Sequence, residues 1–132
     1  ELLAQPRTPF VAEFLGVNLL QGRATRANDG LYAVRCGEHT FYTVEEEEGE
    51  VLVTCHPWEI TLARHAPDDS SLNCFRGRIK AVAHLGGRTR VTVANGITLV
   101  AEITHSSADR LGLKIGDEVV ASFKASAVRV YK

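Results

Sequence analysis

Charge of either sign is in no excess in this chain: 16 acidic residues face 15 basic ones over 132 residues. A chain so balanced lacks the one-signed field that draws proteins to nucleic acid or to an anionic membrane surface, so any anion site in it has to be local. Long apolar runs are missing as well. None approaches the roughly 18 residues of a membrane-spanning helix, and the N-terminus lacks the charged-then-apolar layout of a signal peptide; a soluble, intracellular chain is expected. Cysteine is sparse. Cys36, Cys55 and Cys74 are odd in number, widely spaced and without a C-x-x-C pair, which disfavours a disulfide framework and a structural zinc site. Cys55-His56 is the one adjacent pair of metal-ligand types, and a pair does not complete a tetrahedron. A G-x-x-x-x-G-K-S/T phosphate loop is absent. The histidines at 39, 56, 65, 84 and 105 have no neighbouring nucleophile or paired carboxylates at motif spacing. No catalytic residue, metal or cofactor is therefore expected in this stretch.

What is present begins with helical spacing and then changes period. Phe10, Val11, Phe14 and Leu15 recur as on a helix, with Thr8 placed to cap it, Pro9 suited to the first helical position and Gly16 to end it. Residues 1–16 are expected to be a linker helix leading out of a missing upstream domain, since the chain opens on "ELLAQPRTPF" without methionine. From residue 17 onward the period is mostly two, and short strands are predicted at 17–24, 31–36, 40–44 and 51–55, with another in "EITLA". "NDG" and "EEEEGE" mark turns, the acidic run reading as a solvated hairpin tip because it lacks calcium-loop spacing. Residues 64–71 read as a linker. Strands follow at 73–85, 88–94 and 97–104, separated by Gly86-Gly87 and by the hairpin signal Asn95-Gly96. A helical turn is predicted from Ser106 to Gly112 on the capping-box spacing of Ser106 and Asp109. Strands at 118–124 and 127–131 close the chain. Short strands, Gly-rich turns and one brief helix predict an all-β fold of small OB-like barrels, with Gly77 suited to a tight barrel bend.

An internal repeat organises these strands. "NLLQGR" from residue 18 and "NCFRGR" from residue 73 share asparagine, an apolar pair, a polar residue, glycine and arginine in order. "EGEVLVTCHP" from residue 48 parallels "IGDEVVASFKA" from residue 115, which sets Lys124 opposite His56. Two related modules are expected, an abbreviated one at 17–66 and a complete one at 70–132.

The second module gathers the residue types that hold a tetrahedral oxyanion. Such a dianion offers only acceptors, so its site needs hydroxyl and backbone N–H donors and at least one cation. Thr104, Ser106 and Ser107 stand at the start of the predicted helical turn, Lys124, Ala125 and Ser126 at a strand end, and "DSSLN" from residue 69 adds Ser70, Ser71 and Asn73. Taken singly these residues have plainer roles, a helix cap at Ser106 or a solvated serine-rich turn. The cluster is what argues for a ligand. A nucleic-acid-binding barrel would need a basic groove with stacking aromatics; Phe75, Arg76, Arg78 and Lys80 come nearest, but the alternation puts Phe75 in the core and the cations on a solvated face.

At "SSLNCFRGRIKAV", "NGITLVAEITHSS", "LGLKIGDEV" and "ASFKASAV" the chain resembles the TOBE or molbindin-type (Mop) domain, the oxyanion-binding module that follows the nucleotide-binding domain in many ABC-importer ATPase subunits. "PRTPFVAEFLGVNLLQG" resembles the segment leaving such an ATPase domain, and "CHPWEITL" a strand of the same C-terminal region, so nearly the whole chain is covered. The resemblance implies an OB-like fold, self-association into a homodimer, and molybdate or tungstate held between modules of neighbouring subunits. By motif the ligand contacts would be Ser70, Thr104, Ser107, Lys124 and Ser126. Leu72 stands where tight-binding members carry arginine; His105 is the one candidate to compensate, its plainer role being that of a surface residue, mostly neutral near pH 7. The parent would be the ATP-binding subunit of a molybdate or tungstate importer, with ATP and Mg in the upstream domain, membrane subunits as partners, no nucleic acid, and a cytoplasmic place against the membrane. The other reading is a ligand-free, structural and dimerising TOBE domain serving another solute such as sulfate, polyamine, sugar or iron.

Overall fold

The computed structural model describes residues 16–132; the helix expected over 1–16 falls almost wholly outside them. The described residues form ten strands, one short α-helix and two 3-10 turns, the all-β pattern that the period-two alternation demands. They divide into two compact units, 16–56 with 124–132 in the first and 57–123 in the second. Among them no helix is long and apolar enough to cross a membrane.

In the first unit, β1 (Asn18–Arg26), β2 (Tyr32–Cys36), β3 (His39–Thr43), β4 (Gly49–Cys55) and β10 (Arg129–Tyr131) form one sheet in the order β10-β4-β1-β2-β3. In the second, β5 (Thr61–Ala63), β6 (Leu72–Leu85), β7 (Arg88–Asn95), β8 (Ile97–Thr104) and β9 (Glu118–Lys124) form another in the order β5-β9-β6-β7-β8. The two orders are the same once β6 to β9 are laid over β1 to β4. What differs is the outer strand. β5 follows β4 in sequence yet pairs antiparallel with β9, and β10 follows β9 yet pairs with β4. The compact units are thus bounded differently from the modules read at 17–66 and 70–132: the segment after His56 belongs with the second sheet, and the segment after Phe123 with the first.

The repeat acquires a physical meaning here. Asn18 and Asn73 are both buried, at 6% and 5% exposure, each opening the central strand of its sheet. Gly22 and Gly77 sit where a neighbouring strand comes too close for a side chain: a Cβ on Gly22 would lie 2.7 Å from Val34 Cγ1, and one on Gly77 2.7 Å from the Ala94 carbonyl oxygen. The alternation holds along β6, β7 and β8, with Phe75, Ile79, Val91, Val93, Leu99 and Ala101 all buried and Arg76, Arg78 and Lys80 on the solvent side. Each fully buried Val, Leu, Ile or Phe contributes about 1.5–3 kcal/mol. This spacing is what fixes the register.

Each unit also closes its sheet with a 3-10 turn. Pro57–Glu59 packs on β8, and Ala125–Ala127 on β3, where buried Thr43 donates from Oγ1 to the Val128 carbonyl at 2.8 Å.

Candidate functional site

β8 ends where its pairing with β7 ends. Thr104 is the last residue in register, opposite Arg88, and the His105 N–H donates to the Gly87 carbonyl at 3.0 Å. The chain then turns into the helix α1, His105–Leu111. Thr104 is its cap: the backbone is extended at φ −71°, ψ 152°, and Oγ1 accepts from the Ser107 N–H at 3.1 Å. The capping residue therefore lies two positions before the Ser106 expected from the capping-box spacing, because strand pairing holds the chain extended as far as Thr104. Gly112 ends the helix as predicted, left-handed at φ 61°, its N–H shared between the Ala108 and Asp109 carbonyls. A second cap comes from afar: the Arg64 guanidinium donates to the Leu111 carbonyl at 2.7 Å and the Gly112 carbonyl at 3.0 Å and pairs with Asp117 at 3.0 Å. Asp117 in turn accepts from the Lys114 N–H. The "RHAPDDSS" linker thus anchors the helix that carries the candidate site.

Within the second unit the structure brings together Thr104 and Ser107, whose hydroxyls are 2.9 Å apart. It adds Arg110, which the sequence reading did not single out and which donates from a guanidinium nitrogen to Ser107 Oγ at 3.1 Å. The signal for it was the three-residue helical spacing from Ser107. Ser70 lies exposed in the turn before β6, with no hydrogen bond to that group among the described residues. Beside it Asp69 accepts from the Ser71 N–H at 3.0 Å and hydroxyl at 2.6 Å, so that part of the serine motif builds a local turn. Lys124 ends β9, and Ser126 sits in the 3-10 turn after it; both are exposed and belong to the first unit. The turn packed on β8 inside the second unit is instead Pro57-Trp58-Glu59, with Trp58 55% exposed.

Two further features flank α1 and β6. Thr89 is fully buried, and its hydroxyl is approached by Nδ1 of His84 at 3.1 Å and of His105 at 3.4 Å, the two rings packed edge to face at 4.9 Å. His105 therefore turns to Thr89. A cleft of about 220 Å³ on β6 is lined by Arg76, Gly77, Arg78, Ala94, Asn95 and Glu118, with Arg78 donating to the Gly116 carbonyl. Among the described residues no three His, Cys, Asp or Glu side chains cluster as metal ligands. The Cys36 thiol is pushed up to about 11 by burial and is inert as a ligand or nucleophile near neutrality.

Comparison with known proteins gives these features a context. Residues 69–130 match the TOBE domain family. The chain is 34% identical over 99% of its length to the molybdate/tungstate import ATP-binding protein WtpC of Pyrococcus horikoshii, of which it spans 37%. It is 31% identical over 65% of its length to the spermidine/putrescine import ATP-binding protein PotA of Trichodesmium erythraeum, of which it spans 26%. Its fold is similar to that of the cytoplasmic molybdate-binding protein ModG, with a TM-score of 0.75 and 20% identity over 86% of this chain and 94% of that one.

Proposed function

The chain belongs to the TOBE-domain family through residues 69–130, and from that premise we propose that it is the C-terminal, oxyanion-sensing region of the ATP-binding subunit of an ABC importer for molybdate or tungstate. The observation that carries the reading is the carboxylate-free polar group at the start of α1: the hydroxyls of Thr104 and Ser107 with the Arg110 guanidinium on Ser107. Molybdate and tungstate present four oxygens and no proton near neutral pH, so they are held by such donors and repelled by carboxylates. The relationship to WtpC along nearly the whole chain supports this choice of solute over others. Ser70, Thr104 and Ser107 are assigned as contacts from one segment and Lys124 with Ser126 from another, the two groups meeting where two copies of the chain associate. A ligand bridging two copies favours the arrangement in which they meet, and only such a difference in affinity can throttle transport. The region does no chemistry of its own in this reading. ATP hydrolysis belongs to an upstream nucleotide-binding domain, and the subunit works at the cytoplasmic face of the membrane against the importer's membrane subunits.

Calorimetric titration of the chain with molybdate, tungstate and sulfate tests the proposal. Heat with the first two and a loss of about 10-fold or more in affinity in Lys124→Ala is expected, because a dianion is left short of a cation. No heat with any of the three sinks the sensing role. A second reading, a structural and dimerising domain for another solute, is favoured by the relationship to a spermidine/putrescine import protein and by Leu72 in the serine motif; it predicts a dimer in solution with no oxyanion bound.

A further inference from the structure

We propose that His84, Thr89 and His105 form a proton-operated latch: one shared threonine hydroxyl lets the two rings carry a single positive charge between them, so a second proton at acid pH opens the trio and frees the start of α1 from the β6–β7 hairpin. No step in it uses an oxyanion, so it stands apart from the reading above.

The strand registers bring the three side chains to one face of the second sheet. His84 lies opposite Thr89 on β7, and Thr89 opposite Ile103 on β8. Two residues past Ile103, the period of two carries His105 to the same face, and its N–H bond to the Gly87 carbonyl at 3.0 Å holds it there. Thr89 is fully buried while both histidines are exposed. Solvent protons therefore reach the rings and not the hydroxyl.

What limits the charge is the single proton of that hydroxyl. Thr89 Oγ1 lies 3.1 Å from Nδ1 of His84 and 3.4 Å from Nδ1 of His105, and it has no other hydrogen bond among the described residues. Shut away from water, it has to donate to one of these two nitrogens. The nitrogen that accepts carries no proton, so its ring is neutral; the other ring donates Nδ1–H to the same oxygen and is free to be imidazolium. Charging both rings turns both nitrogens into donors and leaves the buried hydroxyl proton without an acceptor. It also sets two cations with ring centroids 4.9 Å apart, where like charges disfavour one another.

No carboxylate is paired with the second charge. Neither ring has an ion-pair partner among the described residues. Arg88 and Arg90 of β7 and Glu102 of β8 are joined to one another on the opposite face of the sheet. On α1, Asp109 stands one turn after His105 without pairing to it, and Arg110 is bonded to Ser107. Arg64 holds the far end of the helix, Lys80 precedes Ala81 at the irregularity in β6, and Glu59 on the 3-10 turn packed on β8 makes no pair with either ring. The repulsion is therefore relieved by movement, at the point where the chain passes from β8 into α1. In the unfolded chain both histidines charge as pH falls through roughly 6.5; the closed trio takes up one proton. The folded chain then binds fewer protons than the unfolded one, so the stability that the trio contributes is present above that pH and lost as pH falls through it.

Long-range 1H–15N NMR spectra of the 132-residue chain, which report the proton on each ring nitrogen, test this between pH 8 and pH 5. At pH 8 one of the two rings is expected to hold its proton on Nδ1 and the other on Nε2. Thr89→Val, which removes the hydroxyl and keeps the shape, should abolish that difference, and Thr89→Ser should restore it. At pH 5 the cross-peaks between the two rings are expected to vanish as the second ring charges. The unfolding equilibrium constant of the parent, relative to that of Thr89→Val, should rise about 10-fold from pH 8 to pH 5. Two rings protonated on the same nitrogen at pH 8, or two rings still in contact at pH 5 whatever their charge, overturn the latch, and both outcomes are read on the parent alone.

Discussion

Thr104 has one hydroxyl and two demands on it. As the helix cap it accepts from the Ser107 N–H, and in the proposed site the same pair of hydroxyls faces the anion. Thr104→Val keeps the shape and removes the oxygen, so it should cost about 1 kcal/mol of stability, the usual value of a lost cap, and lower molybdate affinity as well. Thr104→Ser should restore both. Urea unfolding and titration on the same samples check this, and a valine variant with full affinity removes Thr104 from the site. Cys36 makes a prediction of another kind. Burial raises its thiol from 9.0 to about 11, so between those values the folded chain keeps a proton that the unfolded chain releases, and stability falls as pH rises. The contribution is whole below pH 9 and lost by about pH 11, at roughly 1.4 kcal/mol per pH unit. Cys36→Ala removes this part of the slope. The stability gap between parent and variant should therefore narrow across that window; a gap that stays constant contradicts the buried, protonated thiol.

At the scale of elements, the strands were legible because burial on one face imposes a period of two, and Val91, Val93, Leu99 and Ala101 occupy the inner face that their spacing assigned. The start of α1 was less so. Thr104, Ser106 and Ser107 can each cap a helix, and what selects Thr104 is a tertiary fact, the pairing of β8 with β7 up to Arg88 and the bond from His105 to Gly87. Arg110 was missed for a similar reason: its spacing from Ser107 was visible, but its bond to the Ser107 hydroxyl was not. Gly77, read as suited to a bend, is a point of close approach. A methyl there would meet the Ala94 carbonyl at 2.7 Å and Val93 Cγ1 at 2.8 Å, neither at the end of a flexible side chain. Gly77→Ala should therefore destabilise by about 1–3 kcal/mol, as overpacking does. Gly87→Ala, with nothing within 4 Å, is the control in the same denaturation series.

At the scale of the molecule, the least legible feature is which sheet each short outer strand joins. β5 and β10 are three residues each, and their alternation says that Leu62 and Val130 are buried without saying against what. The 3-10 turns before them, Pro57–Glu59 and Ala125–Ala127, carry each strand away from the strand it follows in sequence. The same event assigns the candidate site residues to different units, Lys124 and Ser126 to the first and Thr104 and Ser107 to the second. It also predicts an asymmetric response to truncation. A chain ending at Phe123 keeps the five strands of the second sheet, β9 losing only its last residue, but deprives the first of β10 and of the buried Ala127, Val128 and Val130. The two valines alone contribute about 3–6 kcal/mol, comparable with the whole stability of a small domain at about 5–15 kcal/mol. Their loss also leaves the Thr43 hydroxyl and the Glu45 carboxylate without their acceptor and donor on 128 and 130. Hydrogen exchange on the truncated chain should show amides of β1 to β4 exchanging as in an unfolded segment while those of β6 to β9 stay protected. Equal protection in both sheets would mean that β10 is dispensable, and that the first sheet closes on Thr43 without it.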